Sequence, residues 1–333
     1  MLLAGDIGGT KTIIAFFSPG AGVRAPLREE TFPSADYPGL EAILRAFVEK
    51  HSLKVERAVF GVAGPVVEGT ARITNLPWVV EERAIGETLK ISSVRLLNDL
   101  EALAFAVPIL EDADLRTLNR GNPLPGGAIA VIAPGTGLGE AFLTFERQGS
   151  EARYRPHPSE GGHADFAPVS PLEMDLLAHL RKRFSHVSCE RVCSGPGIFE
   201  IYSFLKESGL GEEPGWLADE LGRAADPTPV IVDAALRKDR PPVLCVKTIE
   251  LFASTLGAEA GNFALKVLAT KGVYLGGGIP PAILPVLEEG PFMQAFRDKG
   301  RMSELVSRMP VHVIVNKRAA LIGAAYHGLT EIA

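Results

Sequence analysis

The sequence predicts an α/β protein whose second half repeats the opening of the first. Three observations carry this. Strand-like apolar segments alternate with helical spacings, the order that builds an α/β sheet protein. Two strand–glycine turn–strand units lie about one domain length apart. Late in the chain a long amphipathic stretch runs into a short apolar strand and a triple glycine.

Leu2 to Ile7 reads as a strand, Gly8-Gly9 as a turn and Lys11 to Phe17 as a return strand rich in β-formers. Leu40, Ile43, Leu44 and Phe47 recur at helical spacing and predict a helix over Leu40 to His51. Arg57 to Val62 and Val94 to Leu97 read as buried strands, and Leu100 to Val107 as a helix that Pro108 stops. The repeat follows, with a strand from Ala128 to Ala133, the turn Pro134-Gly135-Thr136-Gly137, and a return strand from Ala141 to Phe145. It suggests an ancient duplication with one such hairpin per lobe, although two unrelated glycine hairpins would look alike. Ile249, Phe252, Leu256, Ala260, Phe263 and Val267 mark one helix from Pro242 to Ala269. The strand Val273-Tyr274-Leu275, then Gly276-Gly277-Gly278 and Pro280-Pro281, come next, and a last helix spans Arg318 to His327. The polar stretches 111–127, 146–159 and 206–242 carry turn formers and are expected as surface excursions.

The 333 residues, 46% of them hydrophobic, can fill the core of one large or two ordinary domains. A net charge of -6 argues against a nucleic-acid partner, which would want a basic face. The short runs Arg181-Lys182-Arg183 and Lys317-Arg318 read as solvated helix ends. Three cysteines are too few for a disulfide framework and point to a reducing, cytoplasmic compartment. No basic region precedes the short apolar run at Met1–Ile7, so no signal peptide is expected. No apolar stretch of about 18 residues escapes Gly, Pro or charge, so no membrane span is expected.

The 35 glycines cluster into loops. Gly5-Asp6-Ile7-Gly8-Gly9-Thr10-Lys11-Thr12 fails the P-loop pattern, since Thr10 stands where glycine must precede the lysine and a strand follows. Gly135-Thr136-Gly137-Leu138-Gly139-Glu140 fails the dinucleotide pattern, with Glu140 in place of its last glycine. Two hairpin turns bare of side chains nonetheless make good anion nests. Asp6 at the rim of the first suits Mg²⁺, directly or through water, and Thr10 and Thr136 add hydroxyl donors. Either loop alone would serve as an ordinary tight hairpin; two of them with the triple glycine favour a nucleotide.

Asn98-Asp99 follows a strand and opens a helix, a place for a plain N-cap. It is also the carboxyl end of a strand, where ligands gather in α/β sheets and where a carboxylate can take a hydroxyl proton during phosphoryl transfer. Glu160-Gly161-Gly162-His163 sets a carboxylate and an imidazole on a flexible loop, and Glu190-Arg191 precedes the loop Ser194-Gly195-Pro196-Gly197. Such groups suit the hydroxyls of a sugar, or surface salt bridges. His157, His163, Cys189, Cys193 and Cys245 include no C-x₂-C pair, so a zinc site is not expected. The Gly-Pro surroundings argue against a helix joining Cys189 to Cys193, and no acyl-transfer site accompanies them.

Together these motifs resemble the bacterial glucokinase family. Gly5-Asp6-Ile7-Gly8-Gly9-Thr10 is similar to its first phosphate motif. Gly61-Val62-Ala63-Gly64-Pro65 and Thr74-Asn75-Leu76-Pro77-Trp78 match its next blocks, and Leu97-Asn98-Asp99-Leu100 the block with the catalytic aspartate. Pro134 to Gly139, Glu160 to Pro168, Glu190 to Gly197 and Tyr274 to Ile279 complete the order. The resemblance implies a two-lobed ribonuclease-H-like (hexokinase/actin-type) α/β fold with the active site in the interlobe cleft. It implies a small lobe of residues 1–108, rejoined by a C-terminal helix over 318–333, and a large lobe of 109–317. It also implies an ATP- and Mg²⁺-dependent glucokinase, with Asp99 as general base and Asn98, Asp99, Glu160, His163 and Glu190 on glucose. ATP would fall to Gly5 to Thr10, Gly135, Thr136, Gly137, Gly276, Gly277 and Gly278. A related repressor and kinase family carries C-x-C-G-x₂-G-C after the histidine, a zinc motif missing here. Lys11, at a position where the family varies, would touch a phosphate or face solvent. A kinase for another hexose or amino sugar and a non-catalytic sugar or nucleotide sensor are the alternatives, since fold does not fix function. Sugar tolerance, phosphoryl donor and assembly stay open, with a homodimer among the options.

Overall fold

A computed structural model describes residues 1–73, 75–148 and 151–330. Thr74 of the Thr74-Asn75-Leu76-Pro77-Trp78 block, positions 149–150 of the 146–159 stretch and the last three of 318–333 lie outside the described residues. The chain divides into two compact units, Met1–Glu111 with Asn316–Ala333, and Asp112–Val315.

In the first unit the strands are β1 (Leu2–Ile7), β2 (Lys11–Phe17), β3 (Arg28–Pro33), β4 (Arg57–Val62), β5 (Val66–Val67), β6 (Thr70–Arg72), β7 (Val79–Glu81) and β8 (Ser93–Asn98). Five form a sheet ordered β3-β2-β1-β4-β8, and β5-β6-β7 form a small separate one. β1 runs antiparallel to β2 and parallel to β4, which is parallel to β8. β1 is a near-continuous apolar run because both faces of the sheet are covered. On one face Ile43, Leu44 and Phe47 of the helix Leu40–His51 and Ile85 of the helix Glu82–Leu89 pack with Phe60. On the other, Ala102 of the helix Asp99–Ala106 and Leu321, Ala324 and Ala325 of the helix Ala319–Thr330 pack with Leu2, Val59 and Leu97.

The second unit holds β9 (Leu115–Asn119), β10 (Ile129–Pro134), β11 (Leu138–Gln148), β12 (Glu151–Ser159), β13 (Gly272–Leu275) and β14 (Val311–Ile314), ordered β12-β11-β10-β13-β14-β9. β12, β11 and β10 are antiparallel neighbours, whereas β10, β13 and β14 run parallel. β12-β11-β10-β13-β14 thus repeats the order and directions of β3-β2-β1-β4-β8. The helix Val243–Val267 buries 16 of its 25 residues and packs on β10.

The expected surface excursions contain regular structure. The stretch 111–127 includes β9, 146–159 includes the end of β11 and β12, and 206–242 includes the helices Gly215–Arg223 and Pro227–Ala235. β9 and β12 are the sheet's edge strands and keep polar residues because only part of each is covered. Asp226, which looked like a turn former, is an N-cap accepting from the Thr228 N–H, and Pro227 takes the first helical position. Among the described residues no helix is long and apolar enough to cross a membrane.

Candidate functional site

The first glycine turn joins β1 to β2. Gly8 N–H donates to Lys11 O at 3.0 Å, closing the hairpin. Ser34 holds the turn from outside: its Oγ donates to Gly8 O at 2.8 Å and its N–H to Thr10 O at 3.0 Å. Thr10 and Lys11 are exposed. Gly5 and Ile7 lie inside β1, paired on both sides. A Cβ on Gly5 would meet Phe60 Cδ1 at 2.7 Å and Ile14 Cδ1 at 2.9 Å, so its bareness answers a packing need. Asp6 projects beside Asp99. Burial first, and the Asp99 charge second, push the Asp6 carboxyl up to about 6, with Lys11 opposing.

Asn98 ends β8 and caps the next helix. Its Oδ1 accepts from Leu100 N–H at 3.0 Å, and its Nδ2 donates to Gly64 O at 2.9 Å. Asp99 Oδ1 also accepts from Leu100 N–H, at 2.8 Å. Asp99 occupies an exposed position, yet the protein around its carboxylate raises its pKa, the Leu100 N–H pulling the other way. The capping expected of this pair is present, and it stands at the carboxyl end of β8.

The second glycine turn joins β10 to β11, with Gly135 N–H donating to Gly137 O at 2.8 Å and Thr136 exposed. Glu190 folds onto it: its Oε2 accepts from Leu138 N–H at 3.0 Å, and a Cβ on Gly137 would lie 2.5 Å from that oxygen. Ser194 caps the helix Gly195–Glu207, its Oγ accepting from Gly197 N–H at 3.2 Å, and Gly195 N–H donates to Gly135 O at 2.8 Å. The triple glycine meets the same place. Gly276 N–H donates to Ile132 O at 2.9 Å, and Gly277, at φ +78°, approaches so closely that a Cβ would lie 2.4 Å from Pro134 O. Gly277 and Gly278 are exposed beside it.

The expected flexible loop at Glu160 is instead a hydrogen-bonded helical turn, Gly161–His163. His163 N–H donates to Glu160 O at 3.0 Å and Ala164 N–H to Gly161 O at 2.8 Å. Both glycines are needed because the turn lies flat on β11: a Cβ on Gly162 would fall 2.1 Å from Leu138 O, and one on Gly161 2.0 Å from Glu140 Oε2. This leaves Glu160 and His163 exposed, Nε2 3.8 Å from Oε2. One segment, Leu138 to Glu140, thus supports Glu190 and the Glu160–His163 turn together.

Cys193 N–H donates to Cys189 O at 2.7 Å, so one helical turn does join the two, against expectation: the Gly-Pro pair falls just after it. Burial drives both thiols far above neutrality. Among the described residues no group of three His, Cys, Asp or Glu is arranged to hold a metal ion. Sequence reasoning missed Ser34, which no motif signals. It also passed over Glu140 and Glu259 as a pair, because nothing in their spacing announces contact.

The sequence profile of the family described as Glucokinase matches residues 3–330. The glucokinase of Synechocystis sp. is 41% identical over an alignment of 346 positions, covering 97% of this chain and 96% of that protein. A crystal structure of glucokinase from an Antarctic psychrotroph superposes with a TM-score of 0.79 at 31% identity, over 98% of each chain. Glucokinase from Balamuthia mandrillaris, solved in complex with glucose, shares the fold at TM-score 0.76 and 21% identity, over 98% of this chain and 93% of that one. The glycine turns, the Asn98-Asp99 cap and the Glu160–His163 turn thus stand in a two-lobed α/β fold matched along nearly its whole length, and the chain belongs to the glucokinase family.

Proposed function

We propose that this chain transfers the γ-phosphoryl group of ATP to the 6-hydroxyl of D-glucose, giving glucose 6-phosphate and ADP. Family membership supports the reaction. The observation that carries the mechanism is Asp99, a carboxylate of raised pKa just past the end of β8 and close enough to Asp6 for its charge to act there. A raised pKa brings a carboxylate nearer the proton affinity that a general base needs. In this reading Asn98, Asp99, Glu160, His163 and Glu190 hold the sugar, and Asp99 takes the proton of the 6-hydroxyl as it attacks phosphorus. The turns at Gly8–Thr10 and Gly135–Gly137 receive the phosphates, and Gly276–Gly278 the adenosine side. Backbone N–H groups fixed in advance oppose the charge that spreads over the phosphoryl oxygens.

The donors at Asp6 fit Mg²⁺. Its carboxyl is buried and crowded by the charge of Asp99, with Lys11 opposing, an excess that a hard cation relieves. Asp6 would hold the ion through water. When bound, Mg²⁺ neutralises phosphate charge. A cytoplasmic setting, supported by three buried free cysteines, and consumption of the product in glycolysis complete the reading. Light scattering tests assembly as a homodimer.

A coupled assay over a panel of hexoses and amino sugars with ATP is the test. Glucose should give the highest kcat/KM. A preferred amino sugar or other hexose overturns the assignment of substrate, and no turnover with any sugar favours a sensor on the same fold.

A further inference from the structure

Beneath the Gly161–His163 turn lies a carboxyl pair that phosphoryl transfer does not use. Glu140, on β11, is 1% exposed, and neither of its oxygens has a hydrogen-bond partner among the described residues. Gly161 rests on it, with room for no Cβ. The β11–β12 register sets Glu140 opposite Ser159, whose Oγ accepts from Gly161 N–H at 3.0 Å. Glu259, 5% exposed, approaches from the helix Val243–Val267. Its Oε2 accepts from Cys189 Sγ at 3.3 Å and Asn262 Nδ2 at 3.1 Å, and its Oε1 lies 3.6 Å from Lys266 Nζ.

We propose that Glu140 is a positioning residue for the sugar: in its neutral form it seats the Gly161–Gly162 turn that presents Glu160 and His163, and its ionisation unseats that turn. The inference rests on the reading that Glu160 and His163 hold glucose. A buried carboxylate without donors is strongly disfavoured, so the group keeps its proton where an exposed one would lose it. Burial first and the Glu259 charge second push the Glu140 carboxyl up to about 7, Lys266 opposing. The other groups around the pair are Cys189 and Cys193, Glu173 and Lys299 on the Glu259 side, and Glu160 and His163 on the turn. Among the described residues only Glu140 combines contact with the turn, burial to 1% exposure and two unpartnered oxygens. Above neutral pH its charge lies buried under the backbone of Gly161, out of contact with bulk solvent. Lifting the turn admits water and relieves that charge, at the expense of the geometry of Glu160 and His163. The part that moves is the Gly161–His163 turn, while Asp99 stands on another segment and the Gly135–Gly137 turn keeps its own Gly195 N–H to Gly135 O bond, so the effect falls on sugar affinity and leaves kcat alone.

The test is glucose affinity without nucleotide, by titration calorimetry between pH 5.5 and 8.5, for wild type, Glu140→Gln, Glu259→Gln and Glu160→Gln. Glu140 is neutral below its pKa, so wild-type Kd should be level below about pH 7 and rise above it by at most about tenfold per pH unit, the limit for one linked proton. Glu140→Gln, the same shape without the proton, should hold its low-pH affinity to pH 8.5, with kcat at saturating glucose equal to wild type. Glu259→Gln removes a charge that raises the Glu140 pKa, so its break should move to lower pH. A Glu140→Gln profile that follows wild type overturns the inference; if that variant does not fold, an unmoved break in Glu259→Gln overturns it. Wild type that fails to bind glucose at any pH overturns the proposed function instead. Binding that Glu160→Gln leaves unchanged removes the turn from the sugar site.

Discussion

Asp6 with Asp99 in the first unit and Glu140 with Glu259 in the second are two acid pairs set beside matching glycine hairpins, and they are sealed differently. The sheet order beneath them is the same, β3-β2-β1-β4-β8 against β12-β11-β10-β13-β14. Asp99 opens a helix just past the end of β8, where the chain leaves the sheet and the carboxylate stays exposed. Glu140 sits inside β11, between β10 and β12, with the Gly161–His163 turn laid over it. A carboxylate that solvent and ligands reach can take and give a proton during turnover. One that is sealed in can only set the shape above it. In the proposed reading the same charge, on the same framework, serves chemistry in one unit and support in the other.

Exchanging the acids one at a time tests this contrast, and the largest effect belongs to Asp99. Asp99→Asn keeps the shape but removes the proposed base, and kcat should fall on the order of 10²–10⁴-fold with glucose still bound. Near-normal turnover would place the base elsewhere. Asp6→Asn should act at one remove, weakening the apparent Mg²⁺ affinity about 10–100-fold, as loss of a group that orients a metal's surroundings does. A magnesium titration of initial rates reads it, and an unchanged midpoint would remove Asp6 from the ion.

In the sealed pair the effect should appear as packing. Gly161→Ala forces a methyl into the space of Glu140 Oε2 and should cost about 1–3 kcal/mol of stability, read by thermal melting. A variant as stable as wild type would mean the turn moves freely over Glu140. The smallest effect is expected from zinc. Dialysis against a zinc-selective chelator, then return of Mg²⁺, should leave activity and Tm unchanged, and one equivalent of tightly held zinc by elemental analysis would contradict this.

Much of the fold was legible because local rules sufficed. The helix Leu40–His51 is where its apolar spacing puts it, and the β1–β2 hairpin is where β-forming residues flank Gly8-Gly9. The edge strands β9 and β12 were not legible, because a strand with one free side need not look apolar. The helices Gly215–Arg223 and Pro227–Ala235 hid behind prolines and an aspartate that punctuate a loop or start a helix equally well.

For the candidate site the division is sharper. The sequence by itself determined the backbone devices: bare glycine turns, and an Asn-Asp pair between strand and helix, because each depends on neighbours a few residues apart. Tertiary structure alone decided which charges meet. Glu190 covers Gly137, Asp6 faces Asp99, and Glu140 lies under Gly161 and near Glu259 only because sheet register and helix packing bring distant segments together. Proton affinity follows from that company and from burial, and a linear sequence encodes neither directly.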